Sequence, residues 1–216
     1  KRVLIRKGKI IDIPQGSSEW LELRRGKVTG TACHTILEFG KGKDTFIEKL
    51  VIESISTTDL EWYKSRSMRR GNELEPEAAL EFEIRNGFPN VVEVGMVQHE
   101  RIDGFLVSPD RLVEPFKGLE IKCFEAKNYY EHLKAYKADR KNFRFLDNQY
   151  NVQVQACLAC TGNDMWYGVI YNPDFAGNEY IQFEIERDEA MIAELEEKVE
   201  IVLEERDKKI EEMLNN

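Results

Sequence analysis

Three observations predict an α/β fold, a mixed central β-sheet flanked by helices. Residues 91–98, 105–107 and 119–123 are short β-rich runs that follow one another closely, and the last alternates apolar and polar side chains. Two more such runs occupy 165–171 and 180–185. Between and around them, apolar residues recur every three or four positions, as helices that cover a sheet require.

From the N-terminus, residues 1–13 read as an extended segment or hairpin turning at Gly8, ended by Pro14-Gln15-Gly16. Ser17 or Ser18 caps a short helix carrying Trp20, Leu21 and Leu23. A second helix is expected over 29–37, then a loop at Gly40-Lys41-Gly42. Phe46, Ile47, Leu50, Val51 and Ile55 predict a helix over 44–55. After Arg69-Arg70-Gly71-Asn72 a helix runs to Asn86, with Pro76 placed in its first turn. The three central runs are expected to form an antiparallel meander. Helices follow at 127–138 and 147–160, then the two later strands, and a long charged helix over 188–214. No repeat, low-complexity tract or linker divides the sequence, so one domain over 1–216 is expected.

Hydrophobic content of 42% fits a globular chain. No apolar run approaches the roughly 18 residues of a membrane span, and residues 1–9 lack an apolar signal-peptide core. The expectation is a cytoplasmic protein with no membrane partner. Cys33, Cys123, Cys157 and Cys160 are then reduced thiols. Cys157 and Cys160 read as two small buried helical residues, against the sharper alternative of a zinc or iron–sulfur half-site that needs about four ligands. The net charge of −9 excludes a chain coated in basic residues. It leaves room for carboxylates gathered in a metal site beside a basic groove.

The chemistry centres on Ser108-Pro109-Asp110, nine intervening residues, then Glu120-Ile121-Lys122. On a strand, Leu119, Ile121 and Cys123 share one face and Glu120 and Lys122 the other. A lone Glu-x-Lys is a common solvated pattern. Asp110 changes the reading, because a turn after Pro109 brings a second carboxylate to Glu120. Two adjacent carboxylates raise each other's pKa, and a divalent cation relieves the repulsion. Such a cation polarises a phosphodiester and acidifies a bound water, while Lys122 orients or deprotonates that water or stabilises the phosphorane.

These residues resemble the PD-(D/E)XK nucleases, and in particular the bacteriophage lambda exonuclease and YqaJ family of recombination exonucleases. The likeness runs from about Ser17 to Tyr171 through five ordered motifs: Trp20-Leu21-Glu22-Leu23-Arg24 with Gly26-Lys27-Val28-Thr29-Gly30-Thr31; Arg70-Gly71 with Glu75; Ser108-Pro109-Asp110; Leu119-Glu120-Ile121-Lys122-Cys123; and Tyr150-Asn151-Val152-Gln153-Val154-Gln155. The resemblance implies a restriction-endonuclease-like core. It makes Asp110, Glu120 and the main-chain oxygen of Ile121 metal ligands, and Lys122 the active-site lysine. Glu75 becomes an extra acidic residue from a helix and Gln153 a supporting glutamine. It aims Arg24 at the DNA 5′-phosphate, with Thr31 and Ser108 as hydroxyl donors and Lys127 as a weaker contact. Glu73 and Glu77 flank Glu75, and Arg25 is adjacent to Arg24. Phe124 stands where relatives often carry proline.

By the same resemblance the protein takes Mg²⁺, two ions, with Mn²⁺ able to substitute. It digests one strand of double-stranded DNA 5′-to-3′ from the end, releases mononucleotides and leaves a 3′ overhang. A homotrimeric ring and a single-strand annealing protein as partner are implied too. The alternatives are a Cas4-like or AddB-like nuclease with an iron–sulfur cluster, a restriction-type endonuclease, and a non-catalytic DNA-binding subunit with the nuclease fold.

Overall fold

A computed structural model describes residues 4–38, 40, 42–57, 66–88 and 90–215. Residues 1–3 of the expected N-terminal segment and Lys41 of the expected loop lie outside them.

Nine strands and seven α-helices are found among the described residues. In chain order they are β1 (Lys9–Ile11), α1 (Ser18–Arg24), β2 (Val28–Thr29), α2 (Cys33–Leu37), α3 (Lys43–Ile55), α4 (Arg66–Asn86), β3 (Val91–Val92), β4 (Met96–Gln98), β5 (Phe105–Val107), β6 (Arg111–Val113), β7 (Lys117–Lys122), α5 (Ala126–Ala138), α6 (Asn148–Thr161), β8 (Met165–Tyr171), β9 (Tyr180–Glu186) and α7 (Glu189–Leu214). The strands divide into two mixed sheets, of order β1-β4-β5-β2 and β3-β6-β7-β8-β9. The β7–β8 pair is parallel, so the chain between them must cross over, and α5 and α6 make that crossover.

The five-stranded sheet is covered on both faces. Leu119 and Ile121 of β7 pack with Tyr167 and Val169 of β8 against Ala78, Ala79 and Phe82 of α4. The opposite face meets α6, whose residues from Val152 to Thr161 are almost all buried, as a helix placed between layers must be. Asp147 caps the start of α6 by accepting from the Gln149 N–H, and Gly162 ends it in the left-handed conformation. Gly118 faces the Trp166 indole so closely that a Cβ there would overlap the ring. Burying each large aliphatic side chain of this core contributes roughly 1.5–3 kcal/mol.

Several elements differ from expectation for identifiable reasons. Residues 1–13 form no hairpin among the described residues; β1 pairs antiparallel with β4 instead. Val28 and Thr29 form a short strand parallel to β5, and a 3₁₀ turn at Gly30–Ala32 precedes α2, so the helix expected over 29–37 is shorter. The strand expected over 91–98 splits between the two sheets. Gly95 lies at the break, where a Cβ would collide with the backbone of Ile11 and Ile13. The three-strand meander is therefore replaced by a β4–β5 hairpin in one sheet and a β6–β7 hairpin in the other. Helix α4 begins at Arg66, so Pro76 sits inside it rather than in its first turn. The proline deprives the Asn72 carbonyl of its ordinary i+4 donor, yet the helix continues because Phe82, Ala78 and Ala79 anchor it to the sheet.

Candidate active site

The β6–β7 hairpin pairs Arg111 with Leu119. Asp110 comes one residue before β6 and therefore lies across from Glu120. Its Oδ2 accepts the Ile121 N–H at 2.6 Å. The preceding loop is pinned by the turn after β1 and by α1. Gln15 Nε2 donates to the Val94 and Pro109 carbonyls at 2.8 and 3.0 Å, and Trp20 Nε1 donates to Ser108 Oγ at 3.1 Å.

Glu120 is fully buried. Its Oε1 accepts from Lys122 Nζ at 2.6 Å and from Gln153 Nε2 at 2.9 Å, while Oε2 has no hydrogen-bond partner among the described residues. Lys122 also lies over the Tyr150 ring, 4.6 Å from its centroid. Glu75 reaches in from α4, held by Arg111 Nη1 at 2.8 Å. The same Arg111 atom donates to the Asp110 carbonyl at 2.5 Å. Glu75, Asp110, Lys122, Tyr150 and Gln153 border one cleft of about 800 Å³, which Thr31, Ile121 and Cys123 also line, while Glu120 is buried behind it on Lys122 and Gln153.

The electrostatics follow from this crowding. Burial, reinforced by Asp110, pushes Glu120 up to about 7, against the opposing pull of Lys122. Burial and Asp110 likewise push Glu75 up to about 7, with Arg111 opposing. Asp110 is raised by burial, partly offset by Lys122 and by the Ile121 N–H. Burial would strip the Lys122 proton, but Glu120 and Asp110 together outweigh it and hold the ammonium more tightly than usual. Burial is the larger cause of the carboxylates' resistance to ionising, and the crowding of negative charge, which also holds the lysine's proton, adds to it. Cys123 is pushed up to about 12, chiefly by burial, so its thiol stays protonated.

A second cavity of about 450 Å³ is lined by Arg24, Lys27, Thr29, Thr31, Lys49 and Glu53, among others. The Arg24 guanidinium stacks on Trp20, 4.1 Å from the ring centroid. Trp20 itself is buried packing. Burial lowers Arg24 to about 10, partly countered by Glu53. Thr31 lines this pocket and the carboxylate cleft alike, so the two adjoin.

The structure thus brings Glu75, Asp110, Ile121, Lys122 and Gln153 together in one cleft, sets Glu120 behind it in contact with Lys122 and Gln153, and places Arg24 and Thr31 beside it. Neither cavity is lined by Ser108, whose Oγ accepts the Trp20 indole N–H, or by Lys127, which is exposed on the first turn of α5. Arg25 is set apart from Arg24 by its partners, since it pairs with Glu22 at 3.0 Å and donates to the Ser56 carbonyl at 3.0 Å. Glu77 accepts from the Tyr171 hydroxyl at 2.6 Å, whereas Glu75 lines the cleft. Arg111 and Tyr150 are not among the expected site residues. The signal for Arg111 is its place directly after Asp110. Cys157 and Cys160 are buried in the core with Cys33.

Residues 19–164 match the family model of the YqaJ-like viral recombinase domain. The chain is 32% identical to the alkaline exonuclease LHK-Exo from Laribacter hongkongensis, whose crystal structure superposes with a TM-score of 0.81 over 92% of this chain and 97% of that one. LHK-Exo in complex with dAMP gives the same identity and TM-score over 91% and 96%. A phage-related exonuclease from Haemophilus somnus 129PT shares the fold at 15% identity, with a TM-score of 0.64 over 87% of this chain and 96% of that one. No curated protein sequence matches. The family model and the superposition agree on the lambda-exonuclease-like nuclease fold, and the chain belongs to the family of YqaJ-like viral recombinase domains.

Proposed function

We propose that this protein is a metal-dependent 5′-to-3′ exonuclease. It digests one strand of linear double-stranded DNA to mononucleotides and leaves a 3′ overhang for recombination. The observation that carries the reading is the junction at Thr31 of a cleft with surplus negative charge and a pocket built on Arg24.

The cleft fits a hard cation. Glu120 Oε2 is a buried oxygen without a hydrogen-bond donor among the described residues, and Asp110 stands across from it. No group of three or more His, Cys, Asp or Glu side chains makes a ready metal site among those residues. The donor set is instead Asp110, Glu120 and the Ile121 main-chain oxygen, with Glu75 in reserve on Arg111. Mg²⁺ suits so few protein ligands because it keeps several of its waters. Mg²⁺, as two ions, or Mn²⁺ in its place, would polarise the phosphodiester and acidify a water.

The chain's own residues do the rest. Lys122, paired with Glu120 at 2.6 Å, serves as a cation facing the charge that develops on the phosphoryl oxygens. Gln153 and Lys122 fix Oε1 of Glu120 and thereby aim its other oxygen. Arg24 receives the terminal 5′-phosphate in a desolvated pocket where a guanidinium fork binds strongly. Thr31 donates its hydroxyl there, whereas Ser108 accepts from Trp20 outside both cavities. Lys127 is left as an outer phosphate contact. The reading extends to a homotrimeric ring threaded by DNA and a single-strand annealing protein as partner, both carried by the motif resemblance alone.

The test is digestion of linear and closed circular duplex DNA with Mg²⁺ or EDTA, with Lys122→Ala as control. Linear DNA should disappear only with the metal and the wild-type lysine, and circles should survive. Cutting of closed circles would make the protein an endonuclease. Folded protein inert with every divalent metal would make it a binding subunit.

A further inference from the structure

The segment from α5 to the start of α6 carries a charge opposite to that of the chain. Residues 126–146 hold six Lys and Arg against two Asp and Glu, a local charge of +4 in a chain of −9. The excess is ordered. Lys127, Tyr130, Lys134 and Lys137 recur at three- and four-residue spacing, so they form one stripe along α5. That stripe is turned away from the core, which Tyr129 and His132 enter from the opposite side. Lys141 lies at the exposed tip beyond the helix, where the Arg140 guanidinium instead lies over the Tyr136 ring, 5.3 Å from its centroid.

Its acidic neighbours are largely occupied. Asp139 accepts from the Asn142 N–H at 3.1 Å, and Asp147 caps α6. Glu131 lies 3.8 Å from Lys134, whose side chain is 69% exposed. Both ends of the segment reach the cleft: Glu125 and Asn128 line it at the start of α5, and Gln149 and Tyr150 at the start of α6. The stripe therefore leads outward from the candidate active site along a helix about 20 Å long.

Tyr130 indicates which form of nucleic acid this path suits. Its ring is 55% exposed between lysines. A duplex offers its stacked bases to no such ring, whereas unpaired bases stack on exposed aromatics while lysines track the backbone. We infer that the Lys127–Tyr130–Lys134–Lys137 face of α5, continued by Lys141, is a track for single-stranded DNA, the undigested strand leaving the cleft. This rests on the exonuclease reading for the origin of that strand, and on the surface itself for the ligand class.

The test is fluorescence anisotropy in EDTA, with a labelled 30-nucleotide oligo-dT and a hairpin duplex of equal charge, titrated across a salt series. Tyr130→Ala should weaken oligo-dT binding about tenfold, and Tyr130→Phe should restore it. The Lys134→Ala, Lys137→Ala double variant should lower the slope of log K against log salt by about 1.4, at about 0.7 per phosphate contact on a single strand. Unchanged affinity and slope would make the stripe a solvated helix face. Loss confined to the hairpin would make it a duplex track, also overturning the inference. Wild-type protein that binds oligo-dT through the stripe yet digests no DNA with Mg²⁺ would sink the exonuclease reading alone.

Discussion

The two cavities that meet at Thr31 are built on opposite principles. The larger is lined by Asp110 and Glu75 and backed by the buried Glu120, one of whose carboxylate oxygens has no partner among the described residues. The smaller buries Arg24 on Trp20 and lowers its affinity for its own proton. One wall is a hairpin locked into a sheet that is covered on both faces. The other combines the short helix α1, the 3₁₀ turn after β2 and the side of α3. Each cavity carries a surplus of charge of one sign, and each is completed by a ligand of the other sign. The difference separates two roles, in which the sheet-built cleft holds the group that does chemistry and the helix-built pocket fixes where the strand begins.

Breaking the acidic side should have the largest effect. Asp110→Asn should slow metal-dependent nucleotide release by about a thousandfold, because it removes fixed charge placed at the reacting phosphate. The same variant should melt no lower than wild type in EDTA, since it relieves a surplus of buried carboxylate charge. Collapse of its melting temperature would show that Asp110 is chiefly structural.

Breaking the basic side should cost less and cost it selectively. Arg24→Ala should slow digestion of 5′-phosphorylated ends by about 10- to 100-fold, the range of a charge-assisted hydrogen bond to a phosphate. Ends with a 5′-hydroxyl should be digested at nearly the wild-type rate, as read in a gel time course. Equal loss on both ends would assign Arg24 to folding or to general DNA affinity.

Metal binding sharpens the comparison without any substrate. Mg²⁺ at a hundredfold excess over its Kd should add about 2.7 kcal/mol of stability, or roughly 5–10 °C in melting temperature for a chain of this size. The rise should vanish in Asp110→Asn and persist in Arg24→Ala, as followed by scanning calorimetry.

The smallest effect concerns pH in EDTA. Glu75 and Glu120 are raised from 4.5 to about 7, so the folded protein holds protons that the unfolded chain releases. Their contribution is complete below about 4.5 and is lost as pH rises through about 7. The wild-type melting temperature should therefore fall relative to Glu120→Gln across that window. A constant gap between the two proteins would contradict the placement of Glu120 charge.

The β7 constellation was legible in the sequence because a strand has a strict period. Leu119 and Ile121 had to share a face, and Glu120 and Lys122 the other. The mixed α/β class was legible for a related reason, since the long periodic helices and the β8–β9 pair speak for themselves. What stayed hidden was set by contacts distant in sequence. Nothing local says that Gly95 must clear the backbone of Ile11 and Ile13, which splits the expected strand over 91–98. Strand β6 is three residues long and reads as loop. Pro76 marks a helix start by local rules, but sheet packing carries α4 through it. Arg111 looks like a solvent-facing residue until the hairpin places it between Glu75 and the Asp110 carbonyl. Arg24 and Arg25 are indistinguishable by type, and it is the folded surroundings that tell them apart, Arg25 held by carbonyls and Glu22 and Arg24 stacked on Trp20 in the pocket.

The most direct test of the central claim is strand polarity on one substrate. A linear duplex would carry a fluorophore near the 5′-phosphorylated end of one strand and a second dye at the 3′ end of the same strand. In Mg²⁺, wild-type protein should release the 5′ label first and the 3′ label last, and Arg24→Ala should slow the first release while preserving the order. Earlier release of the 3′ label would contradict the account, because the pocket beside the carboxylate cleft would then have no 5′ end to hold.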